Sequence, residues 1–263
     1  GDWSSDVCSS DLNDLVRLNK SFIVRRSLKM KQAYEAAKHL SAYIHFAISQ
    51  KKQSVWIAQR EGRTKDSNDV TQESLIKMLG LAGGNGLRKN IEDVNLLPTS
   101  ISYEFDPNDY LKAREFLLRR RDPDYKKTQR DDLSSMETGI TGYKGHIHYA
   151  VTECITPQLQ ALPQNISAAE FLQAACEIIN KAIHLGYQIY PINYISYDVL
   201  EGSDRFADKY TQADKNSIMR YIENQISKID VPEFTPEEYD YVKTLILNMY
   251  ANPLRNQLKA QEA

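Results

Sequence analysis

Residues 21–58 read SFIVRRSLKMKQAYEAAKHLSAYIHFAISQKKQSVWIA, and the way this stretch folds decides the reading of the whole chain. Residues 21–25 are short, β-branched and aromatic, the composition of a buried strand, and Arg25 and Arg26 stand at its C-terminal end. Met30, Ala33, Tyr34, Ala37, Leu40, Ile44, Ala47 and Ile48 then recur at three- and four-residue spacing, with Lys29, Lys31, Glu35 and Lys38 between them. That spacing predicts an amphipathic helix of about five turns. Val55-Trp56-Ile57-Ala58 reads as a second strand, followed by a polar loop. A strand-helix-strand unit of this kind is parallel and right-handed, so Arg25, Arg26 and residues 61–64 are expected at one edge of the sheet. In open α/β sheets that edge is where ligands bind. The fold class expected is therefore α/β: a mainly parallel sheet flanked by helices, with a helical C-terminal extension.

Outward from this unit, residues 72–79 read as a helix ended by the glycine-rich stretch 80–86. Residues 95–105 read as a third strand, 111–121 as a basic helix, and 145–152 as a fourth strand after a polar loop. From Ser167 the pattern turns helical, over 168–185, 215–229 and 236–250, while the Tyr- and Ile-rich residues 187–200 fit either strand or helix. The organisation expected is an alien leader at 1–12, an α/β domain over 13–164 and a mainly helical region over 165–263.

The leader GDWSSDVCSSDL repeats Ser-Ser-Asp and resembles, letter for letter over residues 2–12, one reading frame of a common short-read sequencing adapter. Lys plus Arg number 33 against 35 Asp plus Glu, and without Asp2, Asp6 and Asp11 the balance is nearly neutral, so no global charge points to nucleic acid. With Cys8 set aside, Cys154 and Cys176 are too few for a disulfide framework, which suits a reducing cytoplasm. The longest apolar runs fall far short of the roughly 18 residues of a membrane span, so any membrane contact is expected to be peripheral.

Three motifs carry a resemblance. Ser21-Phe22-Ile23-Val24-Arg25-Arg26-Ser27, Arg60-Glu61-Gly62-Arg63-Thr64 and Leu96-Leu97-Pro98-Thr99-Ser100-Ile101 occur in the order and approximate spacing of three of the four sequence blocks of the glycerolipid acyltransferases, which this chain resembles over roughly residues 13–155. The resemblance implies transfer of a fatty acyl group from acyl-CoA or acyl carrier protein to a glycerol-phosphate or lysophospholipid hydroxyl, with no metal or bound cofactor, by an enzyme peripheral on the inner, cytoplasmic face of a membrane. It implies a substrate-binding set of Arg25, Arg26, Ser27, Glu61, Gly62, Arg63, Thr64 and Pro98. Arg25 or Arg26 would hold the acceptor's phosphate, for which a guanidinium offers a planar fork of donors. Glu61 and Gly62 would shape the acceptor pocket, Gly62 by letting backbone approach closely.

The chain departs from the family pattern in two ways. Gln59 stands where the second of these blocks usually has Phe, and Arg63-Thr64 invert its last pair. The catalytic block His-x-x-x-x-Asp, in which histidine takes the acceptor's proton and aspartate steadies the imidazolium, does not occur: His39, His45, His146 and His184 are followed five residues on by Ile44, Gln50, Val151 and Ile189. His148 has Glu153 there, but five residues apart on a strand face opposite sides. The catalytic block is expected upstream of residue 13, and no catalytic residue is assigned within the chain. A non-catalytic peripheral lipid- or phosphate-binding protein is the alternative. Among lesser signals, His146 and His148 lack a third metal ligand, Gly83-Gly84-Asn85-Gly86 follows a helix and lacks a phosphate-loop Lys, and Arg119-Arg120-Arg121 with Lys126, Lys127 and Arg130 forms a basic run diluted by Asp122, Asp124, Asp131 and Asp132.

Overall fold

The computed structural model describes residues 29–60 and 64–262. Among them the chain runs α1 (Met30–Ser49), α2 (Glu73–Leu79), α3 (Leu87–Asp93), β1 (Thr99–Tyr103), α4 (Asp109–Arg121), α5 (Gln129–Thr141), β2 (Ile147–Val151), α6 (Thr156–Ala161), α7 (Ala168–Leu185), α8 (Pro191–Glu201), α9 (Gln212–Ile226) and α10 (Pro236–Glu262). The described fold is mainly helical, with one two-stranded antiparallel sheet and no parallel sheet. This overturns the α/β expectation.

The reason lies in the two segments on which that expectation rested. Residues 21–25 lie outside the described residues. Residues 55–58 take no place in a ladder among the described residues: Val55 and Ile57 pack against a helical core and Trp56 stays 67% exposed. β-branched side chains gain from half-burial on any suitable surface, and here a helix supplies it without a neighbouring strand.

The other two expected strands do form, in the opposite sense to that expected. β1 pairs antiparallel with β2, with Ile101 facing Tyr149 and Tyr103 facing Ile147. The chain leaves β1 through α4 and α5 and re-enters the sheet at Gly145. That residue has φ +62°, and a Cβ there would meet Glu104 Oε2 at 2.4 Å, so glycine is required by both backbone and space. Beyond the ladder, Glu104 N–H donates to the His146 carbonyl at 2.9 Å and Thr152 N–H to the Pro98 carbonyl at 3.0 Å.

Ser167 starts α7 with a capping box, its hydroxyl accepting from Glu170 N–H while the Glu170 carboxylate accepts from Ser167 N–H. The helix then buries Phe171, Leu172, Ala175, Cys176, Ile179 and Ile183, one continuous stripe. Gly186 ends it and sits against β1: Ser100 Oγ donates to the Gly186 carbonyl at 2.9 Å, and an added Cβ would press that hydroxyl at 2.8 Å. Of the segment 187–200, residues 191–200 resolve as helix, with Pro191 at the first position of α8, while 187–190 form the connection before it.

Two apolar clusters make the core. The first gathers Ile44 of α1, Ile76 and Leu79 of α2, Ile91 of α3 and the α7 stripe. The second gathers Ala113 and Leu117 of α4, Ile192 and Ile195 of α8, and Ile218, Ile222 and Ile226 of α9. α10 joins them, giving Val242, Ile246 and Tyr250 to the second and Leu254 to the first.

Candidate functional site

A cleft of about 610 Å³ opens where β1, α4, α5 and α10 meet the loop that follows residue 63. Its volume lies within the range of pockets that take small ligands. Thr64, Ser67 and Asp69 line it from the loop, Ile101 and Tyr103 from β1, Lys112 from α4 and Lys144 from the segment before β2. Tyr187, Asn193, Met249, Tyr250 and Pro253 come from the C-terminal helices and their connections.

The lining is amphiphilic. Ile101, Met136, Ile140 and Met249 give apolar surface, while Asp69, Lys112 and Lys144 bring charge. Asp69 is held in place on both oxygens: Thr64 Oγ1 donates to Oδ1 at 2.6 Å and the Tyr187 hydroxyl to Oδ2 at 2.9 Å. Burial pushes the Tyr187 phenol well up, and Asp69 adds to this, so the hydroxyl remains a donor. His184 reaches the Asp69 carbonyl at 2.7 Å and steadies the same loop.

The two lysines differ in availability. Lys112 is paired with Asp106 at 2.6 Å. Lys144 donates to the carbonyls of Ile140 at 3.1 Å and Gly142 at 2.9 Å, and among the described residues no carboxylate pairs with it. Among the described residues it is the cation of the cleft with charge left to offer. On the floor, Pro253 has no N–H for the Met249 carbonyl one turn earlier. Asn193 Nδ2 donates to the Tyr250 carbonyl at 2.7 Å and ties α8 to the same stretch of α10.

Behind the floor lies a buried polar knot. Asp109, fully buried, accepts from the Tyr250 hydroxyl at 2.7 Å, the Tyr221 hydroxyl at 2.9 Å, Gln225 Nε2 at 2.5 Å and Tyr110 N–H at 2.6 Å. Burial and the neighbouring Asp106 push its carboxyl up to about 6 against the pull of the two tyrosine hydroxyls.

Of the expected substrate-binding set, Arg25, Arg26, Ser27, Glu61, Gly62 and Arg63 lie outside the described residues. Thr64 is on the cleft, and Pro98 is buried beside it without lining it, its carbonyl accepting from Thr152 Oγ1 at 2.9 Å. Thr64 and Ile101, the last residues of two of the three sequence blocks, thus meet in one cleft. No histidine lines it. His146, exposed just before β2, instead engages Glu104 Oε2 at 2.7 Å. Asp69, Lys112, Lys144 and Asp109 were missed because they come from segments remote in sequence; Lys144, just before a glycine that must adopt positive φ, carried the one local signal.

No helix among the described residues is long and apolar enough to cross a membrane. No family model matches the chain, and neither a curated protein nor a solved structure matches it.

Proposed function

We propose that this chain carries the acceptor-binding part of an O-acyltransferase, which moves a fatty acyl group from acyl-CoA or acyl carrier protein to the hydroxyl of a glycerol phosphate or lysophospholipid. The observation that carries the reading is the meeting of two sequence blocks, through Thr64 and Ile101, on one amphiphilic cleft with an uncommitted ammonium group. Lys144 would pair the acceptor's phosphate, Asp69 and the Asn193 side chain would accept or give hydrogen bonds to the glycerol, and Met136, Ile140 and Met249 would lie along an acyl chain. In the transfer itself the acceptor oxygen attacks the thioester carbonyl, an ester C–O bond forms and the C–S bond breaks. The hydroxyl proton passes to a base and on to the departing thiolate. The lining offers no imidazole for that role.

The last point favours a second reading, a non-catalytic lipid- or phosphate-binding protein peripheral to a membrane. One experiment separates the two. Titration calorimetry with glycerol 3-phosphate should show saturable binding that glycerol does not, weakened about tenfold or more in Lys144→Ala, the effect of a lost charge-assisted contact. Release of free thiol from acyl-CoA is then followed for this chain and for the product of the gene read from upstream of Asn13. Turnover by the longer product alone supports the enzyme; binding without turnover by either supports the second reading. Absence of binding overturns both.

A further inference from the structure

Glu115 on α4 is 3% exposed, yet three cations reach it. Lys65 bonds its Oε1, Arg119 reaches the same oxygen at 2.9 Å, and Lys127 reaches Oε2 at 2.9 Å. They come from three separate segments: the loop beside the cleft, the last turns of α4, and the connection into α5. One carboxylate cannot balance three positive charges. Asp132 stands 3.9 Å from Lys127 and offsets part of one, and the nearby Asp131 is turned to Arg114 at 3.5 Å.

The donors are far from exhausted. An ammonium group has three N–H and a guanidinium five, more in all than one carboxylate can accept. The Arg119 side chain is 53% exposed, that of Lys65 30% and that of Lys127 28%, so all three side chains reach solvent. Burial alone would push Glu115 up, but hydrogen bonds from Lys127 and Lys65 outweigh it and hold the carboxyl below its ordinary range. The carboxylate therefore stays ionised and keeps the three cations spread around it at neutral pH.

We propose that Lys65, Arg119 and Lys127, positioned by Glu115, form a binding site for a phosphate-type dianion, either a phosphate ester or a pyrophosphate. A dianion matches the charge left uncompensated among the described residues, and a guanidinium with two ammonium groups suits its tetrahedral oxygens. The site adjoins the cleft without being part of it. Lys112, on the cleft, and Glu115 and Arg119 stand at i, i+3 and i+7 on one stripe of α4, and Lys65 follows the cleft residue Thr64. It goes beyond the acyl-transfer reading and stands whether or not an acyl group is moved.

The test uses the whole chain with three probes at fixed ionic strength: inorganic pyrophosphate, coenzyme A, and phosphatidylcholine vesicles with and without phosphatidate. Calorimetry and phosphorus line broadening should show saturable pyrophosphate binding with a dissociation constant below about 1 mM. Arg119→Ala and Lys127→Ala should each weaken it about tenfold or more, with helical circular dichroism unchanged. Arg119 is half exposed, so its variant folds even if Lys127→Ala does not. Coenzyme A competing with pyrophosphate identifies a soluble phosphate ester as the natural class, and co-sedimentation with phosphatidate vesicles alone identifies a lipid headgroup. A purely structural knot predicts variants of lowered melting temperature whose pyrophosphate isotherms match the wild type, and that result, or no saturable binding by the wild type, overturns the proposal.

Discussion

Replacing Asp109 by Asn tests the buried knot behind the cleft. The carboxyl sits at about 6 in the folded chain against 3.8 for an ordinary aspartate, chiefly because it is buried. A raised value means the folded state holds the proton more firmly than the unfolded one. The stability this confers is complete below about pH 4 and is lost as pH rises through about 6, a difference of about 3 kcal/mol at 1.36 kcal/mol per unit. Asparagine is neutral throughout and removes that slope. Its NH₂ meets donors in either orientation, Gln225 Nε2 and Tyr110 N–H in the place of one oxygen or the Tyr221 and Tyr250 hydroxyls in the place of the other. Gln225 can turn its amide only by giving up its oxygen's bond from Lys228. Such misplaced buried donors cost about 1–3 kcal/mol. Asp109→Asn is therefore expected to be less stable than wild type at pH 4 and level with it, or above it, at pH 7.5. Urea unfolding followed by circular dichroism between these limits measures it. Glu115, Asp131 and Glu238 are held low and lose their contributions as pH falls instead, so the wild-type minus variant difference isolates Asp109. A difference that does not change with pH, or one that grows in favour of wild type as pH rises, refutes the assignment.

Other outcomes follow from single contacts. Arg88 gives N–H donors to the carbonyls of Leu159, Leu162 and Pro163 at 2.8–2.9 Å, closing the end of α6, so Arg88→Ala should cost about 2 kcal/mol or more in urea unfolding, and Lys should not restore it. Ser167→Ala, which removes the α7 cap, should cost about 1 kcal/mol, and Gly at the same position only a few tenths. Ile222→Ala in the second cluster should cost about 2–5 kcal/mol, with hydrogen exchange rising along α9 and its packing partner α10.

Helices were legible where the apolar period was long. Residues 168–185 coincide with α7, and 30–48 lie within α1. α5 was not, because QRDDLSSMETGIT has too few apolar residues to show a stripe; its sign was the Thr128–Asp131 capping box, which the structure forms. The strands at 95–105 and 145–152 were placed but their sense was not. Pairing direction depends on the path of α4 and α5 between them, and no local pattern encodes it. The crossover reading also assumed that a β-branched run finds a ladder, whereas Val55 and Ile57 found a helix face. Of the candidate site, Thr64 was legible from its motif alone. Lys144 and Asp69 were not, since it takes the folded chain to bring them to one cleft.

α4 shows why the functional surface gathers where it does. Its weak amphipathic pattern reflects two demands made of one helix. Asp109, Ala113 and Leu117 are spaced to share one side, which faces the second apolar cluster and the tyrosine knot. Lys112, Glu115 and Arg119 share another, running from the cleft to the cation cluster. A charge on the second stripe is therefore carried on a helix whose opposite side is locked by close packing. Rigid mounting of this kind fixes the backbone beneath Glu115 and Arg119, so the carboxylate stands ready for Lys65 and Lys127, which reach it from flanking connections, at little further loss of freedom on α4 itself. The same mounting sets the Lys112–Asp106 pair beside the cleft, because Asp106 is anchored through its own N–H, which donates to the Tyr250 hydroxyl at 3.0 Å. The buried knot thus reaches the cleft through Tyr250, which lines it, and through Asp106, bonded to the Tyr250 hydroxyl. Asp109→Asn should accordingly alter binding in the cleft more than binding at Arg119, which the knot does not touch.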